Sequence, residues 1–203
     1  NINCKIVSIN DIKNLKRNSV NVLNLSNEDF NIQFGKSNTS GGKFSRLSLE
    51  RAVDFLKNSM IDGLVTGPIN KNNIQNSDFN YKGHTDYLDT CFNGDALMFM
   101  ISSKIKIALL TEHIPINEVV DEITVDLIKN RIKIVENSLK HDFQINKPKI
   151  ALLSINPHVG DGGVIGKHDD IVLGPSIQQV LKSGVDISGP FASDSFFGTG
   201  MYK

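Results

Sequence analysis

The 203-residue chain carries 22 basic and 22 acidic side chains, interspersed and summing to a formal charge of zero, so no field draws a nucleic acid or an anionic surface. With 39% hydrophobic residues it has the composition of an ordinary globular protein, enough for one sizeable core or two smaller ones. Two cysteines outside any CxxC pair, Cys4 and Cys91, exclude a disulfide framework and a cysteine zinc site, and point to a reducing, cytoplasmic setting.

In chain order, Asn1-Ile2-Asn3-Cys4-Lys5 lacks the basic-then-apolar pattern of a secretory signal. Short Ile-, Val- and Leu-rich runs at Lys5–Ile9 and Val20–Leu25 read as strands. Asn38–Lys43 (NTSGGK) reads as a loop. Leu49, Ala52, Val53, Leu56 and Met60 then share a helical face. Strand-like runs follow at Gly63–Thr66, Ala96–Ser102 and Ile105–Thr111, several apolar enough to be buried on both faces. Ala96–Ile101, the longest apolar run, is far short of the ~20 residues a membrane-spanning helix needs. Leu127, Ile128, Arg131, Val135 and Leu139 recur at helical spacing behind Thr124, a good N-cap. A strand at Lys149–Ile155, a glycine-rich loop at Gly160–Lys167 and a strand-like VDIS segment, Val185–Ser188, complete the order. Strands alternating with helices predict an α/β fold, a parallel-rich sheet with helices on both faces. An absent initiator Met and an open end at Met201-Tyr202-Lys203 lead to the expectation that the fold is incomplete at both ends.

The pentapeptide KIALL occurs twice, at Lys106–Leu110 and Lys149–Leu153, each time followed by a histidine, His113 or His158. In a parallel sheet both would leave the carboxyl edge where α/β folds bind ligands. Imidazole is a common metal ligand, and two such side chains supply half a coordination sphere; equally, two separated histidines can be hydrogen-bonded structural residues. Gly67-Pro68-Ile69-Asn70-Lys71 ends in a lysine suited to phosphate, or is a turn with a surface cation. Gly83-His84-Thr85-Asp86 opens a helix whose free amides and Thr85 hydroxyl suit an anion. Gly160-Asp161-Gly162-Gly163 allows close backbone approach to a ligand, but it is neither GxGxxG nor a complete Walker motif. Asp194 is a loop carboxylate.

Taken together, LVTGPINK, GHTDYL, LLTEHIPI, LSINPHVGDGG and GPFASDSFF, spread over Gly63–Phe197, resemble in order and spacing the boxes of the 4-hydroxythreonine-4-phosphate dehydrogenase family. The resemblance implies a fold similar to isocitrate and isopropylmalate dehydrogenases. It divides the chain into part of a first α/β domain, 1–82, and a second, 83–203, carrying the metal histidines and a dimer interface. It assigns His84 and Thr85 to a small phosphorylated amino-acid substrate, for which Lys71 of the GPINK segment is the further candidate contact, and Asp194 to the catalytic machinery. His113 and His158 would ligate a divalent metal, zinc first, with magnesium or cobalt as alternatives. The family's third metal histidine belongs to a YHDQG box that this sequence lacks, as it lacks the family's TPGD-type start. The implied reaction is oxidation by NAD or NADP followed by decarboxylation, in a homodimer that shares its metal site between subunits. A paralogous dehydrogenase of D-threonate or D-erythronate 4-phosphate, and a noncatalytic fragment without the cofactor segment, are the competing readings; a metal-dependent hydrolase ranks behind them.

Overall fold

The computed structural model describes residues 4–29, 33–75 and 78–202. Its backbone divides into two compact units, Asn1–Gly94 and Asp95–Lys203.

In the first unit, β1 (Lys5–Ile9) and β2 (Ser19–Leu23) pair in parallel, Lys5 opposite Ser19 and Ile9 opposite Leu23. Burial on both faces, expected of such apolar strands, is not found here: Ile6 is 71% exposed and Val20 and Val22 each 50%. Helix α1 (Thr39–Lys57) starts earlier than its hydrophobic face predicts, taking in most of the NTSGGK segment expected to be a loop. The reason is local, because the Asn38 side chain accepts from the Gly41 amide at 2.7 Å and caps the first turn. Gly42 then lies against the Asn73 carbonyl with no room for a Cβ, which lets α1 touch the short helix α2 (Lys71–Ile74). Leu49 and Val53 point into the core as the periodicity requires, whereas Met60 falls beyond the helix end and is exposed.

The expected strand at Gly63–Thr66 forms no ladder among the described residues, and Val65 is 98% exposed. A strand needs a partner to bond, and apolar composition alone does not provide one. The core of this unit gathers Leu49, Val53, Ile74 and Phe79 with Tyr87 of α3 (His84–Cys91). Helix α3 therefore packs with the first unit and the division falls at 94/95 rather than 82/83. Phe79, Tyr81 and Tyr87 stack edge-on or tilted with centroids 5.0 to 5.2 Å apart, the geometry that ring quadrupoles favour. Burial, reinforced by Cys91 one turn away, pushes the Tyr87 phenol well above its ordinary range.

The second unit opens with β3 (Phe99–Ile101) and β4 (Lys106–Ala108), an antiparallel hairpin closed by Ser102 N–H donating to the Ile105 carbonyl at 2.9 Å. So short a connection can only reverse the chain, which corrects the expectation of parallel pairing at this point. Helix α4 (Val119–Glu122) leads to α5 (Val125–His141), where Thr124 accepts from the Leu127 amide at 3.2 Å as anticipated. Ile128, Ile132, Val135 and Leu139 form its buried stripe, and half-buried Arg131 reaches across to the Ala96 carbonyl. Strand β5 (Ile150–Leu153) pairs in parallel with β6 (Ile187–Phe191), and α6 (Gly174–Lys182) joins them before the short α7 (Phe196–Thr199). Ile150, Leu152, Leu173, Ile177, Val180 and Ile187 meet the α5 stripe in one core. The architecture is α/β; among the described residues the strands form three separate pairs, two of them parallel.

Candidate functional site

The residues singled out from sequence fall into one group in each unit. In the first, Gly83 precedes α3 and carries no capping side chain, so the helix presents first-turn amides without a side-chain acceptor from its cap. His84 and Thr85, half-buried, open that turn, while the Lys82 amide donates to Asp86 Oδ2 at 2.9 Å. Lys71 starts α2, whose N-cap Asn70 accepts from the Asn72 amide at 3.1 Å. The Lys71 stem runs beside the same turn, its Cε 4.0 Å from where a Cβ on Gly83 would sit. Lys71, His84, Thr85 and the start of α3 thus share one neighbourhood, with the Asp86 carboxylate in the same first turn.

In the second unit the two KIALL segments do not share a ladder: the first contributes β4, paired with β3, and the second β5, paired with β6. A single sheet rim carrying His113 and His158 is therefore not formed by backbone pairing among the described residues. Both strand ends nevertheless pack against one core, through Leu110 and Ile155. His113 has left-handed backbone, φ 55°, and its Nδ1 lies 3.7 Å from Glu112 Oε2. That carboxylate oxygen is buried and has no hydrogen-bond partner.

His158 sits in a turn of unusual hand. His158, Val159, Gly160, Asp161 and Gly162 all take φ between 47° and 76°, with Gly163 at 92°. Only glycine adopts such angles at no cost, so three non-glycine residues are held there by their surroundings. Gly160 is buried against the Gly166 carbonyl, where a Cβ would not fit, and Ile165 N–H donates back to the Gly160 carbonyl at 3.0 Å. The expected flexible loop is instead a tight turn, its glycine serving chain-to-chain contact.

Two residues not foreseen from sequence, Asp169 and Ser154, fix this turn. Asp169, with no exposed surface, accepts from the Ile155 amide (2.8 Å), the Asn156 amide (3.1 Å) and Asn156 Nδ2 (2.7 Å). Ser154 Oγ donates to the Asn156 carbonyl at 2.8 Å and accepts from the Ser193 amide at 3.2 Å, tying the end of β5 to the loop that carries Asp194. Asp194 Oδ2 then lies 2.9 Å from His158 Nδ1, which leaves Nε2 as the outward nitrogen of a 67%-exposed side chain. The signal in sequence was slight, since Asp169 reads as one member of a solvated HDD triplet until its donors are seen. No group of three or more His, Cys, Asp or Glu side chains placed to hold a metal occurs among the described residues.

The likeness of fold comes first. A 4-hydroxythreonine-4-phosphate dehydrogenase structure from Klebsiella pneumoniae superposes with a TM-score of 0.83 over 98% of this chain and 62% of that one, at 22% identity, a likeness of fold alone. The sequence is more particular: the profile of the pyridoxal phosphate biosynthetic protein PdxA family matches residues 1–203, and the chain belongs to that family. The 4-hydroxythreonine-4-phosphate dehydrogenase of Bacteroides thetaiotaomicron is 37% identical over 187 residues, covering 91% of this chain and 51% of the relative. That of a Sulfurihydrogenibium species is 34% identical, covering 97% and 61%. The chain thus spans about half to three-fifths of the length of these curated relatives.

Proposed function

We propose that this protein oxidises 4-phosphohydroxy-L-threonine with NAD or NADP and decarboxylates the resulting β-keto acid, yielding 3-amino-2-oxopropyl phosphate for pyridoxal 5'-phosphate synthesis. The observation that carries this reading is the family match across residues 1–203, joined by relatives that bear the dehydrogenase name.

In this reading Lys71, Thr85 and the first turn of α3 hold the substrate phosphate, a point charge and oriented amides being the usual partners of that dianion. His84 contacts the rest of the substrate. His113 and His158 are the imidazole ligands of a divalent cation, zinc first and magnesium or cobalt next. The donor set fits two ligand positions of zinc, because the Asp194 carboxylate on His158 Nδ1 leaves Nε2 free, as second-shell carboxylates do for metal-bound histidine. Such a cation, when bound, polarises the alcohol and stabilises the charge that develops as carbon dioxide leaves. Asp194, beside His158 Nδ1, orients that ring and is the carboxylate that exchanges a proton with substrate in this reading. No residue of this chain is assigned to the nicotinamide. A homodimer sharing its metal site, a fold kinship with isocitrate and isopropylmalate dehydrogenases, and a cytoplasmic location belong to the same proposal; no described helix is long and apolar enough to cross a membrane.

The test is turnover by the purified protein supplied with zinc and either nicotinamide cofactor. Reduced cofactor and 3-amino-2-oxopropyl phosphate formed from 4-phosphohydroxy-L-threonine are expected. Exclusive turnover of D-threonate 4-phosphate would move the assignment to the paralogous sugar-acid enzyme.

A further inference from the structure

We infer that Glu112 is a positioning residue for His113: its buried Oε2 receives the His113 Nδ1–H and turns Nε2 outward as the nitrogen left for a cation, the last step resting on the metal-ligand reading above. Glu112 lies on the segment after β4 with its side chain 18% exposed, and Oε2 has no hydrogen-bond partner. A buried acceptor left without a donor is costly, the more so when it is charged, so a donor is expected at that oxygen. The group that faces it is His113 Nδ1, 3.7 Å away. That separation is about 1 Å longer than a formed hydrogen bond, a gap that rotation about the side-chain bonds can close.

The second histidine has the same pairing at closer range. His158 also follows a KIALL segment, also has left-handed backbone (φ 52°, against 55° at His113), and has its Nδ1 2.9 Å from Asp194 Oδ2. In both cases a carboxylate addresses Nδ1, which sets the tautomer and leaves Nε2 free. Two imidazoles built alike, one with its carboxylate engaged and one with it orphaned alongside, make Glu112 the counterpart of Asp194. Glu112 does not touch the reacting atoms in this scheme; it acts through His113.

The tautomer of His113 tests the first half without any metal. Long-range proton–nitrogen correlation spectra of the metal-free, nitrogen-15-labelled chain at about pH 8.5, where an ordinary imidazole is neutral, report which nitrogen bears the proton. His113, assigned by the signal lost in His113→Asn, is expected as the Nδ1–H form in the wild type. Glu112→Leu should shift it to Nε2–H, and Glu112→Gln, which keeps an acceptor oxygen, should retain Nδ1–H. An Nε2–H form in the wild type, or a tautomer unchanged by Glu112→Leu in a protein with native circular dichroism, would overturn the assignment. Zinc calorimetry tests the second half: affinity should fall about 10- to 100-fold in Glu112→Leu and be largely kept in Glu112→Gln. Equal zinc affinity in wild type and Glu112→Leu overturns that half. A wild type that binds no zinc overturns the metal reading of His113 itself, while the tautomer result still decides the role of Glu112.

Discussion

The two units bury their apolar residues differently. The second closes α5 and α6 around β5 and β6, and its strands reach near-complete burial at Ile150 (9%), Leu152 (5%) and Ile187 (3%). The first keeps its tight packing among helices and aromatic rings, around Phe79, Tyr81 and Tyr87, while Ile6, Val20 and Val22 of β1 and β2 stay at least half open to water. A strand-like sequence therefore has two distinct fates in one chain, decided by whether a helix with a matching stripe lies over it.

The sharpest way to break this comparison is to remove one core side chain from each unit. Ile128→Ala, at a site with no exposure, should cost about 2–5 kcal/mol, and Phe79→Ala about 3–5 kcal/mol. Two of the three tyrosines sit in the first unit's core, so near-ultraviolet circular dichroism in urea should move with Phe79→Ala, and the protection of the α5 amides from hydrogen exchange in urea with Ile128→Ala. Coincident shifts of both signals in both variants would mean that the units do not unfold separately.

Gly42→Ala comes next. Alanine in a helix ordinarily stabilises, yet here its methyl would strike the Asn73 carbonyl, so a net loss of about 1–3 kcal/mol in the first unit is expected by urea titration. Thr124→Ala removes the α5 cap and should cost about 1 kcal/mol, read on the second unit's transition alone. The last effect is nil at neutral pH. The folded Tyr87 holds its proton more tightly than the unfolded chain, which loses it near the ordinary value of 10.0. The unfolded state then binds fewer protons, so the first unit should lose stability as pH rises above about 10 and be unaffected below it, checked by urea midpoints against pH.

Much of the helical framework was legible, because the stripes of α1 and α5 and the Thr124 cap rest on local periodicity and one side-chain hydrogen bond. Strand pairing was less so. The same letters KIALL pair antiparallel with β3 in one place and parallel with β6 in the other, since the partner comes from chain connection and not from the pentapeptide. Gly63–Thr66 has strand composition and no ladder, for the same reason. Of the candidate site, Lys71, His84, Thr85, His113, His158 and Asp194 were legible only one by one; that Lys71 runs beside the start of α3 and that Asp194 faces His158 came from the structure. Glu112, Ser154 and Asp169 escaped notice because their importance lies in burial and in what faces them, which a lone acidic or hydroxyl residue does not advertise.

The reversed hand of the segment from His158 to Gly162 also governs which sequences it will accept. Val159, at φ 58°, is β-branched and so the costliest kind of residue for that conformation, whereas glycine, asparagine and aspartate enter it readily. A saturation library at this position, sorted for thermal resistance, should enrich those three over every branched or aromatic alternative, valine included. The native valine would then mark a place where selection has kept something other than maximal stability.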